Sequence, residues 1–332
     1  MLKRTLISAL FVFCFVLVGI PGFAAEFSMK FSSTMNQGHS WSRAADLFKQ
    51  YVEENSNGRI SIEVFPANAL GSNREVLEMI KFGTVDFMNC GVTHVSNNVP
   101  EFNVLVLPYL WTDNEKLFAG LNGAFGQDLA SRTRDRGFEL MGWLDNGFRD
   151  VTSKVKPIVN PGDIKGLKIR CLPSKVHMAF FRALGAAPSP VAWSELYQAL
   201  QQGLVDAQEN PPATIYFARF QEVQKYYSKT GHANEPGLVI MSNASMKKLP
   251  RDLQLLVRVA AQKASEWQKI QNGKDNAQSM EELKKAGMEV NDVPPATIEA
   301  FRKVAQSVYS EAIESLGKDG KSLVDVAIFY NK

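Results

Sequence analysis

Strand-like and helix-like patterns alternate along most of the chain. Strict alternation of apolar and polar residues predicts β-strands, and apolar residues at helical spacing predict α-helices. The strand-like segments lie at 27–32, 60–65 and 85–88, and the helix-like segments at 42–51 and 72–82. The second helix is expected to end at Gly83, because glycine suits a left-handed cap. This alternation predicts an α/β fold.

The same order of features occurs twice. In 75–87 and again in 195–207, a glutamate is followed by helical apolar spacing, a glycine eight positions later and an aspartate three positions after that. A second, shorter similarity relates residues 58–62 to residues 166–170. Any two helix–glycine–strand units look alike, so one interpretation is coincidence. The other is two similar α/β lobes, with a ligand cleft between them.

The last third of the chain is mainly helical. Residues 238–241 predict a returning strand, and a long helical pattern then runs from 251 to about 287. Val293-Pro294-Pro295 interrupts the pattern, which resumes over 296–316. We expect these long helices to brace both lobes.

The N-terminus has the layout of a secretory signal peptide over residues 1–25. Lys3 and Arg4 precede an apolar run over 6–20, and small residues follow it up to Ala25. This run is shorter than the roughly 20 residues of a membrane span, although an uncleaved anchor helix is the alternative. Cys14 lies inside the run, so a lipid-anchored cysteine is not expected. Cleavage after Ala24 or Ala25 would release a soluble, exported chain.

Composition narrows the class of protein. The chain has 332 residues, enough for two lobes with separate cores, and a formal net charge of +3. Loss of Lys3 and Arg4 leaves about +1, which argues against nucleic-acid binding. Cys90 and Cys171 remain after cleavage, and whether they form a disulfide stays open.

Motifs of the common enzyme classes are missing from the sequence. It contains no G-x-S-x-G elbow, P-loop or H-E-x-x-H motif, and its glycines over 120–126 have the wrong spacing for a dinucleotide loop. The four histidines are too scattered for local zinc-site pairings: His39, His94, His177 and His232. We therefore expect no cofactor, no metal and no catalytic residue, with an exported enzyme as a rival hypothesis.

Several ordered segments resemble the solute-binding proteins of tripartite ATP-independent periplasmic (TRAP) transporters, of the DctP type. Each segment is weakly specific alone, but the ordered set spans nearly all of the chain after residue 25. The segments are Gly58-Arg59-Ile60 through Phe65-Pro66, Leu70-Gly71 with Arg74-Glu75, Leu107-Pro108-Tyr109-Leu110, Asp163-Ile164-Lys165-Gly166-Leu167-Lys168-Ile169-Arg170, Ala183-Leu184-Gly185-Ala186, and Glu195 through Gly203 with Asp206, Glu209 and Asn210.

The resemblance implies a type II-like periplasmic binding protein with two α/β lobes and a central cleft. It implies a first lobe over 26–148 plus about 236–270, and a second lobe over 149–235 plus about 271–332 with the bracing helices. Such a receptor, expected to be a periplasmic monomer, binds a small organic anion. It delivers the anion to large and small permease subunits for uptake driven by an ion gradient.

Two residues carry the expected ligand contact. Arg170 matches the arginine that clamps the ligand's acid group in this family, and a guanidinium offers two parallel donors that fit a carboxylate or a sulfonate. Asn210 matches an asparagine whose amide can donate to an anion and accept from a hydroxyl. Without the resemblance, Arg170 would be a solvated charge and Asn210 a turn residue before Pro211.

Other candidates have open alternatives. Arg149 is a second anion contact or a hinge salt bridge, and Trp193 is an aromatic packed on the ligand or an ordinary core residue. His39 matches an early histidine of the family, but a serine follows it where proline is common, which weakens the case for His39 and Trp41. Asn89 follows the first repeat's strand and is expected to face the cleft.

The expected ligands are sugar acids, keto acids or C4-dicarboxylates, with a small sulfonate as an alternative. Asn89 stands near the position of a carboxylate in family members that bind sialic acid, which makes that ligand less favoured. A rival role from a different class is a sensory binding protein that reports its ligand to a membrane receptor.

Overall fold

The computed structural model of the chain describes residues 25–331 as two mixed β-sheets flanked by helices. The signal peptide predicted for residues 1–25 lies outside the described residues, apart from Ala25. Within 25–331 no helix has the length and apolar character needed to cross a membrane.

The described residues form eleven strands, labelled in chain order. They are β1 Phe27–Ser33, β2 Ile60–Phe65, β3 Phe87–Gly91, β4 Phe138–Leu144, β5 Phe148–Ser153, β6 Lys168–Arg170, β7 Ala187–Ser189, β8 Ala207–Asn210, β9 Tyr226–Asn234, β10 Gly237–Ser242 and β11 Glu289–Asp292.

The same residues form twelve α-helices. They are α1 Ser40–Asn55, α2 Asn73–Phe82, α3 Val92–Val95, α4 Asn114–Asn122, α5 Ala124–Arg134, α6 Lys175–Ala183, α7 Leu196–Gln202, α8 Pro212–Phe217, α9 Asn243–Lys248, α10 Arg251–Lys285, α11 Pro295–Ser315 and α12 Gly320–Tyr330.

Each sheet builds one lobe. The first sheet has the order β2-β1-β3-β10-β4, and the second has the order β11-β9-β5-β8-β6-β7. In the first, β1 runs parallel to β2 and β3, while β10 runs antiparallel to β3 and β4. The chain passes between the sheets from β4 to β5 and back from β9 to β10. The two-lobed α/β fold predicted from the sequence is confirmed.

The two repeats occupy equivalent places in the two sheets. Helix α2 ends at Gly83 with φ 71°, and α7 ends at Gly203 with φ 75°, both in the left-handed region that favours glycine. Each helix leads into a strand, β3 or β8, that pairs antiparallel with a strand beside a crossing, β10 or β5. The N-terminal ends of helices α2 and α7 both lie at the cleft.

Helix α10 spans both lobes, as the sequence predicted. Its 35 residues correspond to about 52 Å at 1.5 Å per residue. It packs on α1 and β4 of the first lobe and on α8 of the second. Helix α11 packs on α6, and α12 packs on α4 and α5 of the first lobe. Through these contacts α10 connects the two lobes.

One predicted strand is displaced. The sequence pattern placed the strand of the first repeat at 85–88, whereas β3 begins at Phe87 and continues through Asn89 and Cys90 to Gly91. Asn89, Cys90 and Gly91 belong to the strand because they pair with β10, which lies about 150 residues further along the chain. Cys90 and Cys171 are both buried free thiols.

Candidate ligand-binding site

A cavity of about 750 Å³ lies between the lobes, and residues of both lobes form its walls. We call it the cleft cavity. Its first-lobe wall is formed by Asn68, Ser72, Asn73, Arg74, Leu77, Glu78, His94, Asn97 and Asn98, and its second-lobe wall by Arg170, Pro173 and 190–194. Below it lies a narrow inner recess of about 20 Å³, which shares His94, Arg170 and Trp193 with it. The volume of the cleft cavity suits a small molecule of several carbons.

Arg170 is the buried cation of this site. It ends β6, its side chain is only 1% exposed, and its Nε donates to the carbonyl of Val191 at 3.0 Å. Its Nη1 has no hydrogen-bond partner within the described chain. Burial lowers the pKa of Arg170, and the charge of nearby Glu209 opposes that effect. A buried guanidinium with an unused donor beside a cavity is suited to receive an anion.

Asn210 and Trp193 complete the second-lobe wall. Asn210 ends β8, is buried and lines the inner recess, and its amide donates to the side chain of Gln208. Trp193 precedes α7 and lines both the cavity and the recess, with its ring packed edge-on against Phe220 at 5.6 Å. The structure therefore brings Arg170, Asn210 and Trp193 together around the inner recess.

A chain of polar side chains forms the first-lobe wall. The hydroxyl of Thr34 donates to Asn73 Oδ1 at 2.7 Å, and Asn73 Nδ2 lies 3.0 Å from His94 Nε2. An amide Nδ2 can only donate, so the neutral ring of His94 carries its proton on Nδ1. Burial lowers the pKa of His94 to about 3, with Arg170 and Arg149 contributing, so the His94 ring is neutral near pH 7.

Trp41 and His39 lie at the start of α1. Trp41 lines the inner recess, and its indole Nε1 donates to the carbonyl of Asp145 at 2.8 Å. His39 caps α1 by accepting from the backbone N–H of Trp41, and it borders neither the cleft cavity nor the recess. Burial lowers the pKa of His39 to about 3, with a further contribution from Arg43. His39 thus lies beside Trp41 and helps to hold the Trp41 ring in place.

Asn89 lies away from the cleft. It is inside β3 rather than after it, and its Nδ2 donates to the carbonyl of Trp41 at 2.9 Å. It borders a small cavity in the first-lobe core, together with Phe31 and Val239. The expectation that it follows the strand was wrong, because pairing with β10 extends the strand through this residue.

Arg149 is engaged in a buried ion-pair network. Its guanidinium bonds Glu209 through Nε and Nη2, and its Nη1 donates to Glu235 Oε2 at 2.8 Å. Burial tends to raise the pKa of Glu209, but Arg149 and His232 together hold that pKa well below its usual range. Of the two roles the sequence left open for Arg149, the contacts match the hinge salt bridge.

Two histidines that the sequence separates come together with a carboxylate. His177, Glu209 and His232 are buried, and their ligand atoms lie within 4.8 Å of one another, a spacing that a metal ion could use. His232 Nε2 lies 3.2 Å from Glu209, however, and the Arg149 guanidinium already occupies both oxygens of that carboxylate. A cation placed there would face the Arg149 charge at close range. The cluster therefore fits a structural network better than a metal centre.

Sequence reasoning did not identify three polar residues of the site. Asn73 and His94 line the cleft cavity, and Thr34 lines the recess beside Glu235, a residue that the sequence placed at the second crossing as either a ligand contact or a hinge residue. The Ser72 cap of α2 indicates where the helix starts, which places Asn73 at the end of α2 that meets the cleft. No local pattern indicated a site role for His94, because its neighbours come from distant segments.

Comparisons with known proteins give one consistent family. A family model described as bacterial extracellular solute-binding protein, family 7 (DctP), matches residues 31–315. A solute-binding protein of Verminephrobacter eiseniae is 35% identical, with 81% of this chain and 80% of that protein covered. The 2,3-diketo-L-gulonate-binding periplasmic protein of Escherichia coli is 32% identical, with 86% and 87% covered.

A solved structure gives the same result. It is a TRAP periplasmic solute-binding protein of a Polaromonas species bound to D-erythronate. It is 34% identical to this chain, and the match covers 91% of this chain and 98% of that one, with a TM-score of 0.86.

Proposed function

The chain belongs to family 7 of the bacterial extracellular solute-binding proteins, the DctP family, and from this membership we propose that it is the periplasmic receptor of a TRAP transporter for a small carboxylate. One observation carries the proposal. Arg170 is a fully buried cation with an unused donor, and it borders a cavity large enough for a small organic acid. A bound carboxylate would accept a charge-assisted hydrogen bond from that donor.

The cavity walls favour a hydroxylated acid. Arg74 and Glu78 line the cleft cavity with one charge of each sign, while around the inner recess, beyond Arg170 and Glu235, the polar groups are mainly amides, hydroxyls and a neutral histidine, including Asn73, His94 and Asn210. These groups both donate and accept, which suits hydroxyl groups better than a second buried anion. We propose that the carboxylate lies on Arg170 and Asn210, with Trp193 against the carbon skeleton and Trp41 at the recess. His39 and Asn89 would act indirectly, through Trp41.

Capture would close the lobes over the ligand. The acid group is held from the second lobe and the hydroxyls from the first, so binding energy favours the closed arrangement. We propose a first lobe of 26–148 plus about 236–270, and a second lobe of 149–235 plus about 271–332. The second range includes the bracing helices, of which α12 packs on α4 and α5 of the first lobe.

Delivery, rather than chemistry, would follow capture. We propose a monomer that carries out no catalysis, reaches the periplasm by cleavage of the predicted signal peptide, and hands its ligand to the large and small permease subunits.

The first experiment is thermal unfolding of the chain without residues 1–25. The ligands are D-erythronate, 2,3-diketo-L-gulonate, D-galacturonate, succinate and the sulfonate isethionate.

At least one carboxylate is expected to raise the melting temperature in a concentration-dependent way, since a ligand at 100 times its Kd stabilises the folded state by about 2.7 kcal/mol. D-Galactose is the matched control, because it has the ring and hydroxyls of galacturonate without the acid. An equal shift with galactose, or a shift with isethionate alone, would contradict a carboxylate receptor.

A further inference from the structure

Glu235 lies where the two lobes and the ligand site meet. It sits at the second crossing, between β9 and β10, and borders the inner recess with Arg170 and Asn210. Its side chain accepts from the hydroxyl of Thr93 in the first lobe and from Nη1 of Arg149 in the second. A Cβ on Gly91 would come within 2.5 Å of Glu235 Oε1, so this approach requires a glycine. The carboxyl group is thus fixed beside the ligand site.

The buried charges around Glu235 are balanced before an anion arrives. Arg149 is shared by two carboxylates, with two of its nitrogens on Glu209 and one on Glu235. Arg170 forms no salt bridge with any carboxylate of residues 25–331, although it lies close enough to Glu209 and Glu235 to feel both charges. Two cations therefore face two anions. A ligand carboxylate adds a third negative charge to a site that water screens poorly.

The neighbouring groups differ in how readily they take up a proton. Burial raises the pKa of Glu235 and the charge of Glu209 adds to this, against the opposing effects of Arg149, Thr93 and Arg170. Glu209 has a lowered pKa, because Arg149 and His232 outweigh its burial.

Other titratable groups also pack around these two carboxylates. Burial lowers the pKa values of His94 and His177 to about 3 and raises that of the Cys90 thiol. His232 is bonded to Glu209 and to Thr230. Of the two carboxylates that share Arg149, Glu235 is therefore the one whose pKa is raised.

We propose that Glu235 takes up a proton when a carboxylate binds at Arg170, so that the site captures the anion and a proton together. The inference rests on the proposed function. One ligand carboxylate and one proton enter, the proton joins a Glu235 oxygen, and the total charge of the cluster is unchanged. The neutral carboxyl group can still accept from Arg149 through its carbonyl oxygen.

The coupling has a defined sign. The bound state carries more protons than the free state, so affinity rises as pH falls, by about tenfold per pH unit where uptake is complete. This interval lies between the pKa of Glu235 in the free protein and its higher pKa in the complex. Above pH 5 an ordinary ligand carboxylate stays ionised and adds little to the effect.

Calorimetry counts the protons directly. The acid giving the largest thermal shift among the five ligands above is titrated into the protein at several pH values from 5 to 8, in phosphate and in Tris. The difference in heat between the buffers gives the proton number. Wild-type protein is expected to take up as much as about one proton per acid bound, and Glu235→Gln none, with affinity independent of pH.

Asp150→Asn is the matched control, and it should keep the wild-type uptake. Asp150 is another buried carboxyl group whose pKa is raised by burial, but it bonds Tyr227 and Gly231 and lines neither the cleft cavity nor the recess. If Glu235→Gln does not fold, Thr93→Val provides a second test of the inference. It removes the hydroxyl that favours the ionised form, so the uptake interval should move to higher pH.

Three results would overturn the inference. They are no uptake by the wild type anywhere between pH 5 and 8, equal uptake by Glu235→Gln, and an unmoved interval in Thr93→Val. In these cases the acid still binds, so the proposed function survives. If no acid stabilises the protein at all, the proposed function fails and the inference fails with it.

Discussion

Arg170→Ala is expected to weaken carboxylate binding about 30-fold to several-thousand-fold and to change the unliganded melting temperature little. Truncating one partner of a buried, hydrogen-bonded charge pair typically costs about 2–5 kcal/mol. The small effect on the free protein follows because the one hydrogen bond of Arg170 within the described chain runs from Nε to a backbone carbonyl, with no carboxylate attached. Calorimetric titration and unliganded melting curves measure the two quantities separately.

Two further variants sharpen the test of Arg170. Arg170→Lys should also weaken binding, because an ammonium group keeps the charge but loses the planar pair of donors. Arg182→Ala is the matched control, since Arg182 is an exposed arginine on α6 of the same lobe. A folded Arg170→Ala protein with wild-type affinity would remove Arg170 from the site. A lower melting temperature with near-normal affinity would make it a structural residue.

Arg149→Met is expected to have the opposite pattern, a loss of about 3–5 kcal/mol in the free energy of unfolding. Removing one partner of a buried pair leaves an uncompensated charge, and here Glu209 and Glu235 both lose their cation. Arg258→Met is the control, because Arg258 pairs with Glu139 while remaining part-exposed, and its loss should change stability far less. Urea unfolding of the unliganded proteins gives the comparison.

The pH dependence of this loss is a second check on Arg149. In the wild type the pKa of Glu209 is lowered, so its pairing stabilises the fold at neutral pH, and that contribution disappears as the pH falls through the lowered pKa. That loss lies well below pH 5, so between pH 5 and 7.5 the wild type keeps the contribution in full. In Arg149→Met the buried carboxyl groups of Glu209 and Glu235 have lost their cation and take up protons more readily, so the deficit should be largest near pH 7.5 and smaller near pH 5. A deficit that is unchanged by pH would indicate lost packing rather than unpaired carboxylates.

The sequence predicted much of the fold because the signals were local. Alternating and helical patterns, together with the left-handed glycine caps at Gly83 and Gly203, are encoded within a few neighbouring residues. The sequence indicated Arg170 because this residue ends a distinctive segment, 163–170, whose last three residues form β6. The end of β3 was missed because β10, which extends it past Met88, lies far along the chain.

The site's polar network could not be predicted in the same way. Arg149 pairs with Glu209, 60 positions later, and with Glu235, 86 positions later, and no periodicity links these residues. Only the antiparallel register of β5 with β8 and the return of the chain at β9 place them together. The surroundings of His94 depend likewise on the approach of the second lobe, whose arginines help to lower its pKa.

The position of β10 also determines when this protein can fold during its synthesis. This strand lies between β3 and β4 in the first sheet, yet it comes at residues 237–242, after nearly all of the second sheet. A growing chain that stops before residue 237 leaves the facing edges of β3 and β4 unpaired, and such edges promote aggregation rather than a stable lobe. Pairings that are so distant in sequence also form slowly. The first lobe is therefore complete only after about three quarters of the chain has been synthesised, and until then its strands cannot form a stable sheet.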